Sequence, residues 1–533
     1  MARLESFPIS EDKVREFIKI NKDKWTKHID AANKESGKYV YINLSMVRMQ
    51  VGWFIPKLLF AKGIEARTGA KPIAITWSEN PLLTELIESF GIEHVSLDSI
   101  CRKYMGSLIK AGFKTVGFTL FDGSPMGLQN MKVAGIELGR NLYEDILRNS
   151  SMSTIRSCRN KTCIKKILHL LWASYALQAM MKDKPIEAAV IDDMAYHEGM
   201  FIRLFMGSGA KVYACSNVSE HIVTTDDNGE VIRHSGYSAR RCRKAYDELE
   251  EDCTSKADEI LEARFSGKNG REIDRAAFAG KKVLSREDMV EAYGLDGSKK
   301  TAVIMAHTFT DAVFNFGRYY FRDYYDWVEQ TLKIARDISD VNWILKPHPS
   351  RDVYNESEDS IEALFEKYRS DNMCILADDV SAESIKNIAD VVVTIAGNAG
   401  AEFACLGIPA VIVGDAFYKG YGFTMEPASL AEYRETLESL GTVERLDDDA
   451  VRAAKKLFYV RNSMNDTSDR FNDEFAVGVN KLYSEMEGKI AKQYFKTNDG
   501  TIEFNDRLLE YIAKYTESKD IKSTEYFQRG WNV

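Results

Sequence analysis

The sequence predicts an α/β protein, two Rossmann-like domains in tandem closed by a helical tail. Three observations predict it. Short β-branched and aromatic runs alternate with helix-length amphipathic segments, the pattern of βαβ units on a parallel sheet. That alternation breaks off at about residues 245–297, in a charged stretch containing glycines, and then restarts. The chain's 533 residues also exceed what one hydrophobic core organises.

The elements follow in order. Tyr39–Leu44, Pro72–Trp77 and Ile92–Leu97 read as strands, with helices expected over Pro56–Thr68 and Asn80–Phe90. Ala188–Ile191 and Ala210–Cys215 are strands flanking a helix at Glu198–Gly207. A charged helix is expected from Asp247 through Glu259, followed by a loop at Gly267–Gly270. The second half offers strands at Thr301–Ala306, Trp343–Lys346, Cys374–Leu376, Asp390–Ile395 and Ala410–Gly414. Its helices are a long amphipathic one at Tyr319–Ile338 and shorter ones at Ser381–Asn387 and Gly400–Gly407. The expected domains are 1–240, a helical connection at 241–297, 298–448, and a tail at 449–533 that packs back on the first domain. A helical insertion within one domain is the other reading of 241–297.

Composition excludes several classes. Net charge is -9 with a pI near 5.6, the opposite of a nucleic-acid binder. One basic cluster, Arg240, Arg241, Arg243 and Lys244, reads as a solvated helix face. Eight cysteines are too sparse for a disulfide framework, and Cys158 with Cys163 lacks the second pair of a zinc site. The N-terminus, MARLESFPISEDKVREF, lacks the apolar core of a secretory signal, and no run of about 18 apolar residues offers a membrane span. A cytoplasmic protein is expected, with attachment to the inner face of a membrane through partners left open.

In an open parallel sheet, ligands bind beyond the carboxyl ends of the strands. Three such points in the second half carry chemistry. After the strand ending at Ala306 come His307, Thr308, Thr310 and Asp311. His307 is suited to hydrogen-bonding a phosphate or carbonyl oxygen, and Asp311 to orienting it. At Lys346-Pro-His-Pro-Ser350 the two prolines stiffen the loop that carries His348, and Lys346 adds a point charge for a phosphate. Between Thr394 and Glu402, Gly397, Asn398, Ala399 and Gly400 leave bare backbone at a strand-to-helix junction, where helix amides bind anions. Glu402 sits where a carboxylate can accept from two ribose hydroxyls. In the first half, Asp192 and Asp193 follow a strand end, as general base or as helix cap, with Asp122 and His197 in reserve. No Asp-x-Asp follows a strand in the second half, so no metal is expected.

Lys346-Pro-His-Pro349, Thr394–Glu402, Gly407-Ile-Pro409, Gly414–Tyr418 and Gly422-Phe-Thr424 together resemble the capsule polysaccharide biosynthesis and surface-carbohydrate transferase family. That group includes bacterial transferases using CMP-Kdo, and is more remotely similar to polysialyltransferases and CDP-glycerol transferases. Gly135–Gly139, Tyr143, Asp145 and Ile191–Gly199 with Arg203 resemble its first half. The departure is at Gly397–Gly400, where a hydroxyl residue is commoner. The resemblance implies a GT-B fold, two Rossmann-like domains facing a cleft. The first would take the acceptor, a glycan or lipid-linked glycan, and the second a nucleotide-sugar donor, CMP-type favoured. It implies transfer without metal or cofactor, no nucleic-acid partner, and allows peripheral contact with membrane assembly machinery. Asp192, Asp193, His307 and His348 would be catalytic. Lys346, Pro349, Ser350, Gly397, Asn398, Ala399, Gly400 and Glu402 would hold the nucleotide and its phosphate. The alternatives are a CDP-glycerol-type transferase, a nucleotide-sugar 2-epimerase, for which the expected acidic-arginine constellation is missing from His307–Asp311, and an inactive scaffold.

Overall fold

The computed structural model describes residues 36–45, 68–191, 194–215, 234–266, 280–317, 319–349 and 359–463, with short stretches at 15–68, 220–231, 351 and 497–502. The chain divides into two compact units, one made of Arg3–Asp145 with Ser157–Ile232, the other of Ile146–Arg156 with Arg233–Asn465.

In the first unit β1 (Tyr39–Asn43), β2 (Lys71–Thr76) and β3 (Glu93–Ser96) precede a small antiparallel hairpin, β4 (Lys132–Val133) with β5 (Ile136–Glu137). Then come β6 (Ile186–Ile191), β7 (Lys211–Cys215) and β8 (Glu220–Ile222). The sheet order is β3-β2-β1-β6-β7-β8, parallel except that β8 runs antiparallel to β7. The second unit repeats the plan with β9 (Lys300–Met305), β10 (Val341–Lys346), β11 (Met373–Ile375), β12 (Val391–Thr394), β13 (Ala410–Ile412) and β14 (Thr424–Met425). Its order is β11-β10-β9-β12-β13-β14, parallel throughout. Every residue of β10 and of β12 is buried, as expected of a parallel strand covered on both faces. Two doubly wound α/β units in one chain are the GT-B fold class. In each, the strand order reverses between the first strand and the fourth, the point at which such sheets bind ligands.

The strands lie within one or two residues of where the sequence predicts them. The helices differ more. The long helix starts at Tyr324, not Tyr319, because the buried Asp323 carboxylate accepts from the Asp326 amide at 2.8 Å and so caps it. The charged helix expected over Asp247–Glu259 is two, His234–Glu248 and Thr254–Phe265, both packed on the helix Asp448–Ser463. Several helices of the first unit escape the sequence reading, the longest being Gly106–Phe121 and the helix Lys161–Asp183 on which it packs. The tail beyond Ser463 lies outside the described residues, apart from a short antiparallel pair at Thr497–Asn498 and Thr501–Ile502.

Asp323 also accepts from the Thr154 hydroxyl at 2.6 Å, tying Ile146–Arg156 to the second unit. Arg156 adds a bidentate pair with Asp359 at 2.5 and 3.1 Å. Replacing Asp323 by Ala removes a helix cap and leaves buried donors unpaired, so Asp323→Ala destabilises the second unit by about 3 kcal/mol. Urea unfolding followed by tryptophan emission, with Trp327 reporting from the same helix, checks this; Asp323→Asn, which keeps the cap, loses about a third as much.

Candidate functional site

The carboxyl ends of β9, β10 and β12 enclose a cavity of about 360 Å³ within the second unit. Of the residues singled out from the sequence it is lined by His307, Thr308, Asp311, Lys346, His348, Pro349, Gly397, Asn398, Ala399 and Glu402. Three loops that are distant in sequence thus meet at the reversal point between β9 and β12. Ser350 lies outside the described residues.

His307 leaves β9 and packs against Tyr324 at 4.8 Å between ring centroids. Its Nε2 lies 3.3 Å from the Thr394 hydroxyl. Thr394 is thus the hydroxyl beside this ring; Asp311 lines the same cavity, its amide closing a turn on the Thr308 carbonyl, 3.3 Å away. Burial, and secondarily the neighbouring His348, push the His307 pKa far below its ordinary value, so the ring is neutral at pH 7.

Lys346 ends β10 and is 7% exposed. Its ammonium reaches only the Pro347 carbonyl, at 3.4 Å. Burial above all, with repulsion from Lys281, lowers its pKa from 10.5 to about 8. The following loop is braced through Arg351, whose amide donates to the His348 carbonyl at 3.2 Å while its guanidinium grips Asp378 at 2.9 and 2.7 Å. The site therefore holds a desolvated cation beside two histidines, one of them neutral, an arrangement complementary to an anion.

The glycine loop is more divided in its work than the sequence suggests. A Cβ at Gly397 would come within 3.0 Å of the Thr394 hydroxyl and 3.7 Å of His307 Nε2, so glycine here keeps the cavity open beside the histidine. Gly400 serves packing instead: a side chain there would collide with the buried Tyr418 ring, whose hydroxyl donates to the Gly397 carbonyl at 2.6 Å. The amides of Gly400, Ala401 and Glu402 are spent on the Gly397 and Asn398 carbonyls, each at 3.0 Å.

Glu402 is buried, and its carboxylate is gripped by Arg264 Nε at 2.5 Å. Arg264, in the helix Thr254–Phe265, also lines the cavity and is the functional candidate that sequence reasoning missed. The two residues are 138 positions apart, and neither periodicity nor motif spacing links them. Among the described residues no cluster of His, Cys, Asp or Glu could hold a metal ion.

The first unit has its own reversal point, between β1 and β6. Asp192 and Asp193, which follow β6 in the sequence, lie outside the described residues. Immediately beyond, Tyr196 adopts a φ of 54°, strained for a residue with a side chain, and its amide donates to Glu144 at 3.2 Å. The twist delivers His197 to Asp145: Nδ1 to Oδ2 is 2.6 Å, with the imidazole against Trp77 at 4.7 Å. His197 is 6% exposed, and its Nε2 has no hydrogen-bond partner. Asn43 Nδ2 and Ser45 Oγ, at the end of β1, are likewise buried and unpartnered. Asp122 is placed elsewhere, exposed in a turn where it accepts from the Ser124 amide at 3.0 Å.

Comparison with known proteins bears on the second unit. Residues 280–442, which carry all of the cavity lining except Arg264 and Phe265, match the family described as capsule polysaccharide biosynthesis protein. That match spans under a third of the chain. Among solved structures, the chain is similar to the KpsC beta Kdo 2,7 transferase of Thermosulfurimonas dismutans, at 15% identity and a TM-score of 0.32, over 54% of this chain and 79% of that one. The beta Kdo 2,4 transferase of the same protein gives 11% identity and a TM-score of 0.32, over 52% and 79%. A glycosyltransferase from Rickettsia africae gives 9% and 0.27, over 86% and 100%. No curated protein matches the chain.

The Lys346 environment carries a pH signature. With its folded pKa at about 8 and an ordinary value of 10.5, the unfolded chain binds the extra proton between those values. Stability therefore rises with pH across that window and is at its lower plateau beneath it. Lys346→Met removes the buried charge, stabilises the protein at pH 7 by roughly 2 kcal/mol, and abolishes the rise. Denaturant titrations from pH 7 to 10.5 check both statements.

Proposed function

We propose that this capsule polysaccharide biosynthesis chain is a glycosyltransferase, moving a sugar from a nucleotide-activated donor to a bacterial surface glycan. The observation that carries the reading is the convergence of Lys346, His348 and neutral His307 beside the Arg264–Glu402 pair, in one cavity at a sheet's reversal point. Cation, imidazoles and the Asn398 and Ala399 amides suit a phosphate. A carboxylate fixed by Arg264 suits a ribose, because its remaining lone pairs are pre-aimed.

In the transfer, the bond from the anomeric carbon to the donor phosphate breaks and one to the acceptor oxygen forms. The nucleotide leaves with the electron pair, and the acceptor proton passes to a base. Lys346 and His348 stabilise charge growing on the leaving phosphate, an effect worth about 3 kcal/mol per well-placed donor in a water-poor site. The base is assigned to the first unit, to Asp192, Asp193 or His197. The unpartnered His197 Nε2, backed by Asp145, has the form of an acceptor-side general base. The donor is proposed to be CMP-linked, an acidic sugar such as Kdo or a sialic-type acid, with transfer needing neither metal nor cofactor. A glycan or lipid-linked glycan is the acceptor, handled on the cytoplasmic side of the membrane.

Calorimetry with CMP, CDP and UDP tests the donor reading. CMP binds, His348→Ala weakens it at least tenfold, and affinity falls as pH rises through about 8, where Lys346 loses its proton; Lys346→Met removes that pH dependence. Binding of CDP in preference to CMP favours polyol-phosphate transfer from a CDP-linked donor, and binding to no nucleotide sinks both. His197→Gln should cut kcat at least a hundredfold with CMP affinity unchanged; unaltered turnover would move the base to Asp192 or Asp193.

A further inference from the structure

The helix Gly106–Phe121 is built inside out. The residues it buries are small, Ser107, Ala111 and Thr115, and they let it lie close on the helix Lys161–Asp183. The residues it turns outward are large and apolar. Met105, Ile109, Phe113, Val116 and Leu120 recur at three- and four-residue steps, a single stripe along the helix. Phe113 is 77% exposed, Leu120 67%, and Phe121 at the helix end 89%. Gly106, Gly112 and Gly117 add bare backbone, with open space where each side chain would stand. A water-facing helix normally shows the reverse arrangement.

The charge beside the stripe points to what covers it. From Ser99 to Phe121 the chain carries Arg102, Lys103, Lys110 and Lys114 and no acid, within a protein of net charge -9. Arg102 is tied to Glu79 at 3.2 Å, whereas Lys110 and Lys114 are exposed along the flank of the stripe. We propose that this helix lies on the surface of an anionic phospholipid bilayer, its apolar stripe in the acyl boundary and its lysines among the headgroups. A helix of 16 residues is about 24 Å long, and no helix among the described residues is long and apolar enough to cross a membrane, so the contact is in-plane. A second copy docked on the same face would bring Lys110 and Lys114 against their own counterparts; anionic lipid neutralises them. This surface lies in the first unit, and the inference stands whether or not the donor reading holds.

The test is sedimentation of the full chain with vesicles of phosphatidylcholine alone or with one-third phosphatidylglycerol. The chain pelts down with the anionic vesicles and poorly with the neutral ones. Lys110→Glu with Lys114→Glu removes that preference. Ile109→Glu with Phe113→Glu, at exposed positions that leave the fold's circular dichroism unchanged, lowers anionic-vesicle binding at least tenfold. In Phe113→Trp, brominated acyl chains quench the new tryptophan. Equal binding by the Ile109→Glu/Phe113→Glu variant, or no binding to either vesicle, overturns the proposal. So does a dimer in analytical ultracentrifugation that the same pair of substitutions converts to monomer without any vesicle binding, which assigns the stripe to self-association instead.

Discussion

A parallel sheet whose strand order reverses must open a gap where the chain leaves its two central strands, and in the second unit that gap lies between β9 and β12. The rest of the candidate site depends on it. His307 is the second residue beyond β9, and Gly397 the third beyond β12, so the sheet's own hydrogen-bonded register sets the spacing of histidine and loop. The Thr394 hydroxyl, on the last residue of β12, serves both: it lies 3.3 Å from His307 Nε2 and accepts the Gly397 amide at 3.3 Å. β10, hydrogen-bonded along the other side of β9, brings Lys346 alongside Met305 and so to the same edge.

Within that frame the polar groups are deliberately unequal. The Arg264–Glu402 pair is satisfied and buried, which fixes geometry, because breaking either partner would strand the other in low dielectric. Lys346 is the opposite case. Asp378, whose charge acts on it, is already engaged by Arg351, and the lysine's own hydrogen bond to a carbonyl is long. An under-compensated buried cation costs the folded protein stability, and an arriving anion recovers it. The same contrast recurs in the first unit, where Asp145 satisfies one nitrogen of His197 and leaves the other unpartnered.

How much of this is legible in the sequence follows from the range of each interaction. The strands, Lys346-Pro-His-Pro and the glycine loop are local signals, and they lead to the right elements and to one cavity. Asp311 is close to His307 in sequence and shares its cavity, but the hydroxyl 3.3 Å from the ring belongs to Thr394, which reaches it from another strand. Gly400 looks like a ligand-approach glycine because a Gly-x-x-Gly spacing does not reveal the Tyr418 ring behind it. Arg264 has no local signature, since its meaning comes from Glu402 across 138 residues.

The two longest unread helices, Gly106–Phe121 and Lys161–Asp183, escape for a different reason. Helical periodicity finds an apolar stripe but not the direction it faces; inward is the default because burial is what normally stabilises it. In Lys161–Asp183 that default breaks because the helix is buried on several sides, with Cys163, Ile167, Leu170, Leu171, Ala173 and Ser174 all enclosed, so no clean stripe emerges. Its neighbour then meets a surface it can approach only with small side chains. Ser107, Ala111 and Thr115 fill that contact, and the larger apolar residues are left on the far side by the helix's own geometry. The outward stripe is thus not a folding accident that a better core would have absorbed. Turning it inward would drive Phe113 and Leu120 into a helix-helix contact sized for Ala111, and overpacking of that kind is itself destabilising.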